Sequence, residues 1–207
     1  MIDLRNMGRK HADEMHIWSP QQYADFAKAA RDREETFLLF ELYFWLGLRR
    51  GEALALTPAD IMHNPKTGRT YVSITKSVNA KGRSQDTKTA SSHRVLLLPQ
   101  IIEEEINAYM LRLSIAPTER IFTASTHRLY RDMERACEIA QVPKIRLHDL
   151  RHSFASILID SKRYSPTDVA RAMGHSSATI TLRTYAHIME ETKADIADLL
   201  NGLRGQI

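Results

Sequence analysis

After Ser19-Pro20 the chain takes up a helical rhythm. Tyr23, Phe26, Ala27 and Ala30 recur three and four residues apart, with Ser19 placed to cap the first turn and Pro20 at its first position. Residues 34–48 are apolar nearly all round, which predicts a helix buried at the centre of a domain, its end weakened by Gly47. A short helical stretch then runs from Gly51 and stops before Pro58, because the residue preceding a proline avoids the helical region. Here the pattern changes. Asn64-Pro65-Lys66-Thr67-Gly68 is a turn cluster, Tyr71-Val72-Ser73-Ile74-Thr75 is β-rich, residues 79–83 form a basic turn, and residues 92–98 supply a further strand. A small antiparallel sheet of two or three strands is therefore expected within an otherwise helical chain.

Pro99 restarts the helices, with Ile102, Ile106, Tyr109, Met110 and Leu113 on one face. The next helix begins near Thr126 and buries Leu129, Met133, Ala136, Cys137 and Ala140; others are predicted over 148–159, 165–173, 176–186 and 190–203. Residues 1–17 are polar and aperiodic, as in a linker or arm. The fold class is mainly α with a small antiparallel β-sheet (α+β).

Composition narrows the class. The 207 residues are 43% apolar and 26% charged, which excludes collagenous, disordered and membrane-spanning chains. A net charge of +4 makes polyanions reasonable partners without requiring them. The single cysteine, Cys137, excludes an internal disulfide framework and a multi-cysteine zinc site, and fits the cytoplasm. The longest apolar stretch, residues 37–48, is interrupted by Glu41 and is shorter than the roughly 20 residues a bilayer needs.

Four groups of polar residues are left unexplained by the core. His148 and Arg151 lie three apart, on one face of a helix, and together suit a phosphate: the guanidinium offers planar paired donors and the imidazole moves a proton near neutral pH. Taken alone, the pair reads first as a surface histidine and an ion-paired arginine, since this spacing is common by chance. Arg49 follows the buried helix, with Glu52 three residues on to hold it as an anion clamp. Lys88 lies between hairpin strands beside Lys76, Lys81 and Arg83, a basic hairpin that could follow a phosphate backbone or merely guard a strand edge. His175 falls at the junction after Met173-Gly174, and Tyr185 ten residues later suits a nucleophile or a core position.

In order and spacing, the four groups resemble the catalytic domain of tyrosine recombinases, the phage integrase family. The resemblance rests on Gly47-Leu48-Arg49-Arg50-Gly51-Glu52, Lys88 in Thr87-Lys88-Thr89, His148-Asp149-Leu150-Arg151-His152, Met173-Gly174-His175 and Tyr185. Met173, in place of the usual leucine, conserves volume. The resemblance implies the tyrosine recombinase catalytic-domain fold over residues 18–207, with residues 1–17 a linker remnant and the family's N-terminal core-binding domain absent.

It also implies an enzyme that cleaves and rejoins DNA through a 3′-phosphotyrosyl intermediate, without cofactor or metal. Arg49 and Arg151 would clamp the phosphate, Lys88 protonate the leaving 5′-hydroxyl, His175 donate to the phosphate and Tyr185 attack. Ionising a free phenol at pH 7 costs about 4 kcal/mol, and His148 is the expected proton acceptor. The implied partners are double-stranded DNA attachment sites and, for a full-length protein, a DNA-bound homotetramer. The isolated domain is free to be monomeric, the 190–203 helix packing on its own core or on a neighbour. A bacterial or phage-encoded, nucleoid-associated cytoplasmic protein is expected. The contexts of Trp18-Ser19-Pro20 and of Lys88 lean toward integration or excision of a phage or mobile element; the alternatives are Xer-like chromosome-dimer resolution, type IB topoisomerase-like relaxation and a non-catalytic DNA-binding regulator.

Overall fold

Ser19 caps the first helix as its position predicts. In the computed structural model, which describes residues 16–79, 82–86 and 93–190, its hydroxyl accepts from the Gln22 amide while the Gln22 side chain accepts from the Ser19 amide, opening α1 (Pro20–Ala30). Ahead of it, Trp18 is buried, its amide donating to Ser153 Oγ and its indole to the Pro143 carbonyl.

Helix α2 (Glu34–Trp45) is the hub. Every residue from Glu35 to Phe44 is buried, as expected for a helix without a polar face. Phe44 stacks on Tyr23 at 3.8 Å between ring centroids, and Phe40 meets Phe26 edge-on at 5.2 Å. The helix ends at Trp45, three residues before the expected limit, because Gly47 adopts a left-handed conformation (φ +62°). Space imposes the same residue: a Cβ on Gly47 would stand 2.4 Å from the Phe154 ring. The chain thus turns sharply under a neighbouring helix, and Leu48 and Arg49 leave in a fixed direction. Helix α3 (Arg50–Ala53) is a single turn, followed by a 3-10 turn at Pro58–Asp60.

Strands β1 (Ile61–Asn64), β2 (Arg69–Ile74) and β5 (Arg94–Leu97) form an antiparallel sheet in the order β1-β2-β5, with Ile61 opposite Val72 and Val72 opposite Leu96. Val72 and Ile74 point into the core, while Val95 and Leu97 face out. Strand β1 was not expected: four residues with no alternating burial leave no period-two signal. A separate two-stranded ribbon joins β3 (Lys76–Val78) to β4 (Ser84–Asp86).

Helices α4 (Gln100–Leu113), α5 (Thr126–Ala140), α6 (Leu147–Asp160), α7 (Pro166–Met173) and α8 (Ala178–Glu190) complete the described chain. Ile102, Ile106 and Tyr109 of α4 are buried as expected, but Leu113 is exposed, since the helix has already reached its left-handed end at Ser114. The main core gathers α1, α2, the buried sheet face, α4, α5 and the start of α6. A smaller one holds Ala155, Ile159, Val169, Met173 and Tyr185. Among the described residues, no helix is long and apolar enough to cross a membrane. The helix expected over 190–203 and the arm ahead of residue 16 lie outside the described residues.

Candidate active site

The end of α7 organises the site. The last carbonyls of a helix have no partner within it and carry the negative end of its dipole. Here three successive ones receive three guanidiniums: Arg94 Nε donates to Ala172 O at 2.7 Å, Arg151 Nη2 to Met173 O at 2.5 Å and Arg49 Nη2 to Gly174 O at 2.7 Å. The arginines come from β5, α6 and the N-cap of α3, so one helix terminus joins three elements distant in sequence. Gly174 (φ +64°) closes the turn, and a Cβ there would lie 2.7 Å from Arg94 Nη1.

Glu52, 2% exposed, lies between two of these cations. It accepts from Arg49 Nη1 at 2.7 Å, and from Arg94 Nη2 at 2.8 Å and Nη1 at 3.1 Å. Burial pushes its carboxyl up, but the hydrogen bonds and charge of Arg94, with Arg49, outweigh this and hold it below the usual carboxylate range. Two arginines therefore share one carboxylate while Arg151 meets only backbone carbonyls, and the three guanidiniums with Glu52 keep a net positive charge. Arg151, fully buried, also donates to the Gly47 carbonyl. Burial and then the Arg49 charge lower its pKa, yet a guanidinium stays protonated in proteins.

Asp149 fixes the first turn of α6, accepting from the Arg146 amide at 3.0 Å and from its guanidinium at 2.9 Å. His148 and Arg151 consequently share a wall of one cavity of about 180 Å³. His148 also meets His152 edge-to-face, with ring centroids 4.7 Å apart. His175 follows α7, its Nδ1 hydrogen-bonded to Thr181 Oγ1 of α8 at 2.9 Å.

Tyr185 is fully buried in the smaller core, and its hydroxyl is hydrogen-bonded to His152 Nδ1 at 2.6 Å. The backbone of α8 departs from helical geometry at this residue (φ −113°, ψ 15°). Burial pushes the phenol well above its ordinary pKa, against the opposing charge of Arg151. The phenol is thus close enough to feel the arginine group, but its oxygen is turned to an imidazole.

The expected residues divide accordingly. Arg49, Glu52 and Arg151 share one hydrogen-bonded group with the α7 terminus, with His148 and His175 beside it. Tyr185 adjoins that group but meets His152, where His148 was the expected proton acceptor. Lys88 and Lys81 lie outside the described residues. Arg83 is exposed at the ribbon turn. Lys76, expected among DNA contacts, is half-buried, its ammonium 2.7 Å from Asp60 Oδ2 and bonded to Thr57 Oγ1. Two residues without an expected role belong to the site: Arg94 and His152. The second was legible, since a residue four after His148 shares its face. The first had no local signal, because its partner Glu52 is remote in sequence.

The imidazoles set an acid limit on folding. Burial first, then neighbouring charge, lowers the pKa of His148 and takes His152 and His175 down to about 4, from an ordinary 6.5. Between those values the unfolded chain binds more protons than the folded one, so these groups stabilise the fold at neutral pH and lose that contribution as pH falls toward 4. Burial raises the Glu41 carboxyl to about 7, which offsets part of the effect. With three imidazoles against one carboxyl, melting temperature should fall between pH 7 and pH 5. A thermal melt that is flat or rising over that interval would contradict this account of the imidazoles.

Comparison with known proteins follows the same lines. The chain matches the phage integrase family over residues 19–192. It is 27% identical over 191 residues to a XerC-like tyrosine recombinase of Caldanaerobacter subterraneus, covering 80% of this chain and 49% of the relative. It is 26% identical over 211 residues to the ICEBs1 integrase of Bacillus subtilis, covering 92% and 55%. The chain thus spans about half the length of these curated relatives. Among solved structures, the Tn1549 transposon integrase in complex with transposon right end DNA superposes with a TM-score of 0.74 at 18% identity, over 92% of this chain and 68% of that one. The catalytic domain of bacteriophage HP1 integrase gives 0.59 at 21% identity, over 84% and 88%. Both likenesses are of fold.

Proposed function

The chain belongs to the phage integrase family, and from that premise we propose that it is the catalytic domain of a site-specific recombinase, cutting and rejoining DNA through Tyr185. The observation that carries the reading is the convergence of Arg49, Arg94 and Arg151 on one helix end, with His148, His175 and Tyr185 on the adjoining elements. A phosphodiester gains negative charge as it is attacked, and a fixed, net-positive group lowers that barrier.

In the proposed reaction the Tyr185 oxygen bonds to phosphorus and the bond to the 5′-oxygen breaks, giving a 3′-phosphotyrosyl link and a 5′-hydroxyl. The phenol gives up its proton to an imidazole and the 5′-oxygen gains one, from Lys88 by analogy with the family. One phosphodiester is exchanged for another, so a different 5′-hydroxyl can reverse the attack and seal a recombinant strand. Arg49 and Arg151 are assigned to the non-bridging oxygens, and His175 to a hydrogen bond on the same phosphate. The fully buried phenol cannot reach a phosphate from its present position. The reaction therefore requires Tyr185 to leave His152, and the break in α8 at this residue is where the chain can bend.

A relative named an integrase and a structural neighbour named a transposon integrase support insertion or excision of a mobile element as the cellular role. Residues 18–207 are assigned to the catalytic half of such a protein, double-stranded attachment sites are its substrate, and a DNA-bound tetramer is the proposed assembly. The test is end-group chemistry. DNA from a nicked attachment-site duplex, after proteolysis, should carry a blocked 3′ end bearing a peptide of this chain and a free 5′-hydroxyl. A peptide on a 5′ end, or a break with both ends free, would overturn the assignment.

A further inference from the structure

Arg50 differs from the arginines around it. Arg49 and Arg94 pair with Glu52, Arg128 with Glu35 and Arg146 with Asp149, whereas among the described residues no carboxylate pairs with Arg50. Its Nη1 donates to Thr126 Oγ1 at 3.0 Å, which aims an exposed guanidinium without neutralising it. Arg50 lines the cavity of about 180 Å³ whose walls also include Tyr43, Tyr130, Leu147, His148 and Arg151. It lines a second cleft too, of about 420 Å³, with Arg120, Ser125 and Thr126 at the start of α5.

Tyr43 supplies an independent sign. It is 2% exposed, and its hydroxyl finds no hydrogen-bond partner among the described residues. A buried hydroxyl left unpaired costs free energy, and nearly all such groups are satisfied by protein, water or ligand. Tyr43 lines the same cavity as Arg50 and Tyr130. The cavity is lined by two guanidiniums, Arg50 exposed and Arg151 buried, with two phenols and an imidazole, a donor set for an oxyanion. At about 180 Å³ and open to solvent, the cavity has room for a tetrahedral oxyanion.

Arg49 is not on this cavity's wall; its guanidinium is directed to Glu52 and Gly174. Two consecutive arginines thus point to different places, Arg50 to the cavity that Arg151 also lines and Arg49 to Glu52 and Gly174. A nucleic acid strand presents phosphates in series, so a strand that puts one phosphate at Arg49 offers another to its neighbour. Resting on the recombinase reading, we propose that Arg50, with the Tyr43 and Tyr130 hydroxyls, forms a second phosphate site holding the backbone phosphate next to the one that reacts. Such contacts set register and carry no base information.

Each phosphate neutralised by a cation contributes about 0.9 to the slope of log affinity against log salt. Binding of a short duplex of arbitrary sequence is measured across a salt series for the native chain, Arg50→Ala, Arg50→Lys and Tyr43→Phe. Arg50→Ala should shallow the slope by about 0.9 with an unchanged melting temperature, and Arg50→Lys should restore it. Tyr43→Phe should keep the slope and weaken binding by about ten- to a hundredfold, the loss of one hydrogen bond to a charged group. An unchanged slope for Arg50→Ala while the native chain still forms the Tyr185-linked adduct overturns the second site alone. Native binding that is insensitive to salt overturns both this site and the recombinase reading.

Discussion

Glu52→Ala is expected to cost about 3–5 kcal/mol of folding stability, because removing one partner of a buried ion pair leaves the other charge buried and uncompensated. Glu52 is 2% exposed and its principal partner, Arg94, has a side chain only 5% exposed, so neither is relieved by solvent. Arg49, with 37% of its side chain exposed, can turn to water and contributes less to the loss. Without the carboxylate, Arg49, Arg94 and Arg151 would repel one another across the end of α7. For a domain whose whole stability is about 5–15 kcal/mol, that is a large share. Glu52→Gln, which keeps the shape and one acceptor, should lose less. Denaturant unfolding of the three chains checks the order, and a Glu52→Ala midpoint equal to that of the native chain would refute the account of the arginine group.

The second large effect concerns Tyr185. Tyr185→Phe keeps the ring in the pocket of Ala155, Ile159, Val169 and Met173 and removes only the hydroxyl. His152 loses a hydrogen-bond partner, which costs about 1–3 kcal/mol for a buried group and less for a half-buried one, so the variant should fold. Its chemistry, in contrast, should vanish, since phenylalanine has no oxygen to form a bond to phosphorus. Tyr43 and Tyr130 line the cavity with Arg50 and are not part of that pocket.

The parts of this molecule that could be read from its sequence are those decided locally. Ser19 and Gln22 cap a helix because they are three residues apart, and α2 reads as buried because it has no polar face. The Arg49–Glu52 pair and the shared face of His148 and Arg151 are also matters of spacing within one or two turns. What escaped depends on contacts between distant segments. Arg94 is set by a carboxylate on α3 and a carbonyl of α7, neither of which marks its own strand. Lys76 reads as one more cation of a basic hairpin until Asp60 is brought beside it. Strand β1 exists through its pairing with β2 rather than through any pattern of its own. The orientation of Tyr185 is the sharpest case: spacing places it on a helix after His175, but only packing turns its oxygen to His152.

The central claim is that one phenol, beside a guanidinium group locked onto a helix end, does the covalent chemistry. The most direct measurement incubates a nicked duplex bearing the attachment site with the native chain and with Tyr185→Phe, and resolves protein-linked DNA on a denaturing gel. A covalent band from the native chain and none from the variant is the expected result; equal bands, or none from a folded native chain that binds the duplex, would contradict it.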